Sequence, residues 1–185
     1  MSTQMQFREF QKIPRLFREV IVTEKIDGTN ACVVIGEDGS IGAQSRTRLI
    51  TPGDDNYGFA YWVEQHADEL RELGHGHHYG EWWGLGINRN YGLTEKRFSL
   101  FNVSRWGENR PPCCHVVPVL AIGSPAESFT IVAEQLWRLR ITGSAAVPGF
   151  MKPEGVIAFH VRGNLLFKAT IERDEEYKRK QKVVV

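Results

Sequence analysis

The chain has 185 residues, 42% of them hydrophobic and 24% charged, with 23 lysines and arginines against 22 aspartates and glutamates. A chain of this size hides roughly 70% of its extended surface on folding, so a single domain over residues 1–185 is expected, and a net charge of +1 excludes binding nucleic acid through bulk charge. Three cysteines (Cys32, Cys113 and Cys114) cannot form a disulfide framework, and no signal-peptide core or bilayer-spanning apolar run is visible, so a soluble protein of a reducing cytoplasm with no membrane partner is expected.

No segment repeats and none is low in complexity. β-branched runs at 19–25, 31–35 and 41–45, separated by Asp27-Gly28 and Asp38-Gly39, predict antiparallel strands joined by tight turns. Apolar residues three and four apart predict an amphipathic helix over 57–73, stopped by Gly74, and a second over 126–139. Further strands are expected at 78–83, 98–103, 116–122, 156–161 and 165–169, with a charged helix from 172 onward. Strands outnumber helices and follow one another directly, which predicts an α+β fold with antiparallel sheets flanked by helices.

The sharpest segment is Glu24-Lys25-Ile26-Asp27-Gly28-Thr29-Asn30, where a strand delivers a lysine beside an acid and a glycine turn. Such an amine is a nucleophile when deprotonated, and the glycine would let backbone amides approach a phosphate. A solvated hairpin turn has the same four letters. Ser45-Arg46-Thr47-Arg48 ends a strand with two guanidiniums suited to phosphate or ribose oxygens, or to surface ion pairs. Gly80-Glu81-Trp82-Trp83-Gly84 sets a carboxylate among aromatics, for binding hydroxyls or a metal, or merely as an acid beside core rings. The alternating aromatics of Phe98-Ser99-Leu100-Phe101-Asn102-Val103 suit core packing or a ring stacked on a base. A hairpin through Arg162-Gly163-Asn164 would bring Glu154 and Lys168 to one end of a sheet, an acid for a metal beside a cation for a phosphate.

In this order, Lys25-Ile26-Asp27-Gly28, Ser45-Arg46, Gly80-Glu81, Phe98 to Val103, Glu154-Gly155-Val156 and Lys168 resemble the six nucleotidyltransferase motifs of ATP-dependent ligases and mRNA capping enzymes. The form Glu-Lys-Ile-Asp-Gly-Thr-Asn, followed by Gly-Glu-Trp-Trp-Gly, looks most like the RNA ligase branch that includes phage and RNA-editing ligases. The resemblance implies ATP and Mg²⁺ or Mn²⁺ as cofactors and RNA ends as substrate. It implies Lys25 as the nucleophile that forms lysyl-AMP, with Glu24 and Asn30 lining the nucleotide and the reacting end. Arg46, with Arg48 as a second candidate, would contact ribose or phosphate, and Glu81 would bind the ribose hydroxyls. Phe101 and Val156 would press on the two faces of the adenine, Glu154 would support the metal, and Lys168 would neutralise the α-phosphate.

Three departures qualify the resemblance. Thr170 stands where relatives usually carry a second lysine, and Asn102 where they often carry an acid. Only fifteen residues follow the last motif, so no OB-fold is expected, which argues against a DNA ligase or capping enzyme. A nucleotide-binding module without turnover is the rival of a different class. RNA contacts are expected from Arg46, Arg48, Arg89 and the C-terminal lysines. Cys113-Cys114-His115 is too compact for zinc, His75, His77 and His78 read as a loop connector, and Arg105-Trp106 as a surface loop.

Overall fold

The computed structural model describes residues 9–10, 12–13 and 19–172, so the expected C-terminal helix and its lysines lie outside the described residues. Strands β1 (Val20–Lys25), β2 (Thr29–Ile35), β3 (Ile41–Ser45), β4 (Leu49–Ile50), β5 (Gly76–Gly84), β6 (Lys96–Leu100), β7 (Cys114–Val116), β8 (Val119–Gly123), β9 (Gly155–His160) and β10 (Leu165–Thr170) form two sheets. One has the order β10-β9-β1-β8 and the other β4-β3-β2-β5-β6-β7. Every neighbouring pair is antiparallel except β6 with β7, an α+β arrangement as expected.

Three α-helices are present among the described residues: α1 (Phe59–Gln65), α2 (Ala67–Leu70) and α3 (Ser128–Thr142). The expected single helix over 57–73 is broken at His66, whose φ of -110° and ψ of 18° leave the helical basin. Its ring packs edge-on against Trp62, at 4.9 Å between centroids. The main core joins α1, α2 and the 3₁₀ turn at Leu73 to one face of the six-stranded sheet, through Phe59, Val63, Leu70, Trp82, Phe98 and Leu100. A second core packs α3 on the four-stranded sheet through Val20, Val22, Leu139, Val156 and Ala158. A third, with Ile26, Trp83, Tyr91 and Val117, fills the junction between the sheets.

Two chain crossings weld that junction. Ile26-Asp27-Gly28 carries the chain from β1 to β2, and Val117-Pro118 carries it from β7 to β8. The run read as one strand over 116–122 divides at Pro118, which has no N–H for a ladder. Val117 N–H donates to the Leu100 carbonyl in one sheet, and Glu24 N–H donates to the Pro118 carbonyl from the other. The strand expected over 98–103 ends at Leu100, and Phe101 opens a turn. His77 and His78 belong to β5 and not to a connector. Trp106 is not at the surface: it is 8% exposed, and the Arg105 guanidinium lies 4.5 Å from its ring centroid.

Candidate active site

Alternation along β1 sends Val20, Val22 and Glu24 toward α3 and leaves Ile21, Thr23 and Lys25 on the opposite face. Lys25 ends the strand in register with Gly155 of β9. Its Nζ donates to Glu154 Oε2 at 2.6 Å, with the two side chains 23% and 18% exposed. Gly155 lets β10 pack closely at this end of the sheet, because a Cβ there would strike the Ala169 carbonyl and the Thr170 Cα. Both charges are part-buried, and the backbone of β1 and β9 that carries them is paired in the sheet.

The loop around Arg89, expected from the sequence only as an RNA contact, grips the turn after Lys25. Asn88 Nδ2 donates to Asp27 Oδ1 at 2.9 Å and to the Gly28 carbonyl at 2.6 Å, and Arg89 Nε donates to Asp27 Oδ2 at 2.9 Å. Asp27 N–H in turn donates to the Tyr91 hydroxyl at 2.9 Å. Asn88, Asn90 and Tyr91 hold φ values of 43°, 59° and 54°, a left-handed conformation uncommon outside glycine that a bulky tyrosine adopts only when its surroundings impose it. Arg89 also donates to the Lys152 carbonyl at 3.1 Å, so one guanidinium ties the turn two residues after Lys25 to the chain two residues before Glu154. Asn-Arg-Asn-Tyr-Gly was the available signal, since asparagine and glycine tolerate positive φ.

Glu81 reaches the same region from β5. Its Oε1 accepts the Gly28 N–H at 3.0 Å, and burial pushes its carboxyl up to about 7, against the pull of the Gly28 N–H and the Lys25 charge and with added repulsion from Glu154 and Asp27. Asn30 is its register partner on β2 and Ser99 on β6. Beyond them a concavity of ≈ 260 Å³ opens on the sheet, lined among others by Asn30, Gln44, Arg46, Tyr79 and Phe101. Arg46 is exposed and makes no hydrogen bond or ion pair among the described residues, so its guanidinium is available to a ligand. Arg48 is not: it pairs with Asp54 at 2.6 Å and bonds two carbonyls. Arg89 is likewise engaged, by Asp27 and the Lys152 carbonyl, so both of these guanidiniums already have partners within the protein.

Two expected nucleotide contacts face the wrong way. The Glu24 carboxylate, 1% exposed, points behind the sheet and accepts from Ser144 Oγ at 2.7 Å, Ala145 N at 2.8 Å and Ala146 N at 2.9 Å. Burial raises its carboxyl above the ordinary range while those three donors oppose the shift. Val156, 0% exposed, sits in the core under α3, and its neighbour Ile157 takes the Lys25 face. The reason is period two: whatever shares Lys25's face must be an odd number of residues from Val156 on the register-matched strand. A cavity of ≈ 380 Å³ lined by Gln135, Leu139 and Ser144 lies on that rear side, behind Glu24.

Lys168 is exposed, on the Lys25 face and in register with Ile157. Strand spacing puts its Cα roughly 12 Å from that of Lys25. Glu154 does not share an end with Lys168, as the hairpin was expected to arrange. The Glu154 carbonyl accepts from Ile171 N–H, and it is Thr170 that aligns with Gly155 and Lys25. The Thr170 hydroxyl donates to the Glu172 carbonyl at 3.0 Å.

The RNA ligase family model matches residues 18–158, which includes every expected site residue except Lys168. An RNA ligase mutant of Naegleria gruberi solved with ATP and Mn is similar at 22% identity, covering 89% of this chain and 51% of that one, with a TM-score of 0.61. An archaeal ATP-dependent RNA ligase is similar at 20% identity over 89% of this chain and 48% of that one, TM-score 0.60. A second Naegleria gruberi RNA ligase mutant, solved with AMP and Mn, has 21% identity over 89% and 52%, TM-score 0.59. The chain thus spans about half the length of these structures. No curated protein matches it.

Proposed function

The chain belongs to the RNA ligase family, and from that premise we propose that it carries the nucleotidyl transfer of an ATP-dependent RNA ligase that seals 3'-hydroxyl and 5'-phosphate ends. The observation that carries this reading is the Lys25–Glu154 contact at 2.6 Å, whose two charges act on the buried Glu81 carboxyl. Neighbouring structures bound to ATP or AMP with Mn support the choice of nucleotide.

Lys25 Nζ attacks the α-phosphorus in line, forming a P–N bond as the bond to pyrophosphate breaks. Glu154 Oε2 accepts a hydrogen bond from Nζ at 2.6 Å and so fixes the position of the amine. Lys168 and Arg46 offset charge on the phosphate oxygens. Phe101 supplies a ring for the base, Ile157 an apolar wall in place of Val156, and Glu81 an acceptor for ribose hydroxyls. AMP then passes to the RNA 5'-phosphate, and the 3'-hydroxyl displaces it.

No three His, Cys, Asp or Glu side chains converge into a cation cage among the described residues. That fits a Mg²⁺ or Mn²⁺ held by one carboxylate, Glu154, with phosphate oxygens and water completing the shell. Such an ion would supply electrostatic stabilisation of the transferring phosphoryl group. No helix among the described residues is long and apolar enough to cross a membrane.

The test has two arms. Mixed with ATP or GTP labelled in the α-phosphate and a divalent metal, the protein becomes covalently labelled from ATP alone; labelling from GTP favours capping chemistry, and none favours a binding module. Given a pre-adenylylated strand, it joins an RNA 3'-hydroxyl end much faster than the matching DNA end, because the 2'-hydroxyl is what distinguishes the two sugars. Equal rates overturn the RNA assignment while leaving the lysyl-AMP chemistry in place.

A further inference from the structure

Cys113 and Cys114 take no part in the site above, yet the fold presents them as a pair. Cys114 N–H donates to the Pro111 carbonyl at 2.9 Å, closing a turn with Pro112 and Cys113 at its corners. Glu69 accepts the Cys113 N–H at 3.2 Å, and Arg110 Nε donates to the Cys114 carbonyl at 2.9 Å. Successive residues of an extended strand point to opposite faces, but here the turn leaves the two Sγ atoms 4.0 Å apart. Cys113 is half-buried, whereas Cys114 is 1% exposed at the edge of the main core.

We propose that Cys113 and Cys114 are a reversible dithiol–disulfide redox site whose oxidant is a hydroperoxide. Cys113 is the less buried of the two, and Cys114 is held as a thiol by its contact with Cys113 and by burial. The Cys113 thiolate therefore attacks a peroxide oxygen; the O–O bond breaks, the departing oxygen takes up a proton, and Cys113 becomes a sulfenic acid. The Cys114 sulfur then attacks the Cys113 sulfur, the S–O bond breaks, and hydroxide leaves with the Cys114 proton as water. Two electrons pass from the dithiol to the peroxide.

The ring so formed is strained. Adjacent Cα atoms are roughly 3.8 Å apart across a trans peptide, shorter than the usual separation of about 4.4 to 6.8 Å in a disulfide. Strained disulfides have the more oxidising potentials and are readily reduced, so this bond acts as a switch and not as a staple. Cys32 provides an internal control, being buried with its thiol pushed up to about 11 by that burial.

The experiment treats the native full chain with hydrogen peroxide, alkylates it after denaturation and maps the peptides by mass. The expected product is lighter by two hydrogens, carries an internal Cys113–Cys114 bond, leaves Cys32 free to alkylate, and recovers all three thiols with dithiothreitol. In Cys114→Ser the reaction stops at a Cys113 sulfenic acid that dimedone traps. The proposal is overturned if oxidation of the wild-type chain runs on to a Cys113 sulfinic acid with Cys114 still free, if the bond involves Cys32 or a second chain, or if peroxide leaves all three thiols alkylatable.

Discussion

Lys25 and Glu154 are 129 residues apart in the chain, and their side chains meet at 2.6 Å between the last residue of β1 and the residue that precedes β9. Lys25→Ala removes the only amine at the end of β1, so intact-mass spectrometry should show no added AMP. Glu154→Ala leaves the amine but removes its partner, and adenylylation should slow about 100- to 1000-fold, the usual effect of deleting one preorganised charge at a reaction centre. A Thr170→Ala control, on a hydroxyl already bonded to the Glu172 carbonyl, should change the rate far less.

Glu81 titrates near neutrality, with its carboxyl at about 7, and this has two consequences of opposite sign. As an acceptor for ribose hydroxyls it must be ionised, so ATP binding should strengthen as pH rises through 7, and Glu81→Gln should flatten that dependence. For stability, a raised folded pKa means the native state holds a proton that the unfolded state has lost above about 4.5. Its contribution is complete below that value and fades as pH climbs to 7. Urea melts at pH 5 and pH 8 should show Glu81→Gln gaining on the wild type at the higher pH; a constant difference would place the titration elsewhere.

Arg89 braces the turn beyond Lys25 against the approach to Glu154. Replacing it with alanine removes hydrogen bonds to a charged group worth about 1.5 to 3 kcal/mol, which corresponds to roughly a 10- to 100-fold fall in adenylylation rate if it is felt at the transition state. Since Arg89 aligns the nucleophile without facing the concavity, KM for ATP should move little. Single-turnover labelling across ATP concentrations separates the two effects, and a change confined to KM would contradict the positioning role.

Val156 and Ile157 are neighbours on opposite faces of β9, so their truncations should fail differently. Val156→Ala opens a hole in the core beneath α3 and should cost roughly 2 kcal/mol in chemical denaturation, with nucleotide binding nearly unchanged. Ile157→Ala should weaken ATP binding at little cost in stability. Phe101, 41% exposed, should behave like Ile157, since base stacking on an aromatic contributes about 1 to 3 kcal/mol. Isothermal titration with ATP analogues checks the binding half.

Most of the strands and the α+β class were legible in the linear pattern, because period-two alternation and turn glycines are local properties of the chain, and the ordered motifs singled out Lys25, Glu81, Phe101 and Glu154. The break at His66 was not, since a helical pattern continues through it and only the packing of its ring on Trp62 marks the change. Nor was the division at Val117-Pro118 fully legible: proline forbids a ladder bond, but that the chain changes sheets there depends on Leu100 and Glu24. The site divides the same way. Motif letters cannot say which face a strand residue takes, and one step in register put Glu24 and Val156 behind the sheet while Ile157 joined Lys25. Charge alone made Arg46, Arg48 and Arg89 equivalent; only the tertiary structure distinguished them, by giving Arg48 to Asp54 and Arg89 to Asp27 and leaving Arg46 open to the concavity.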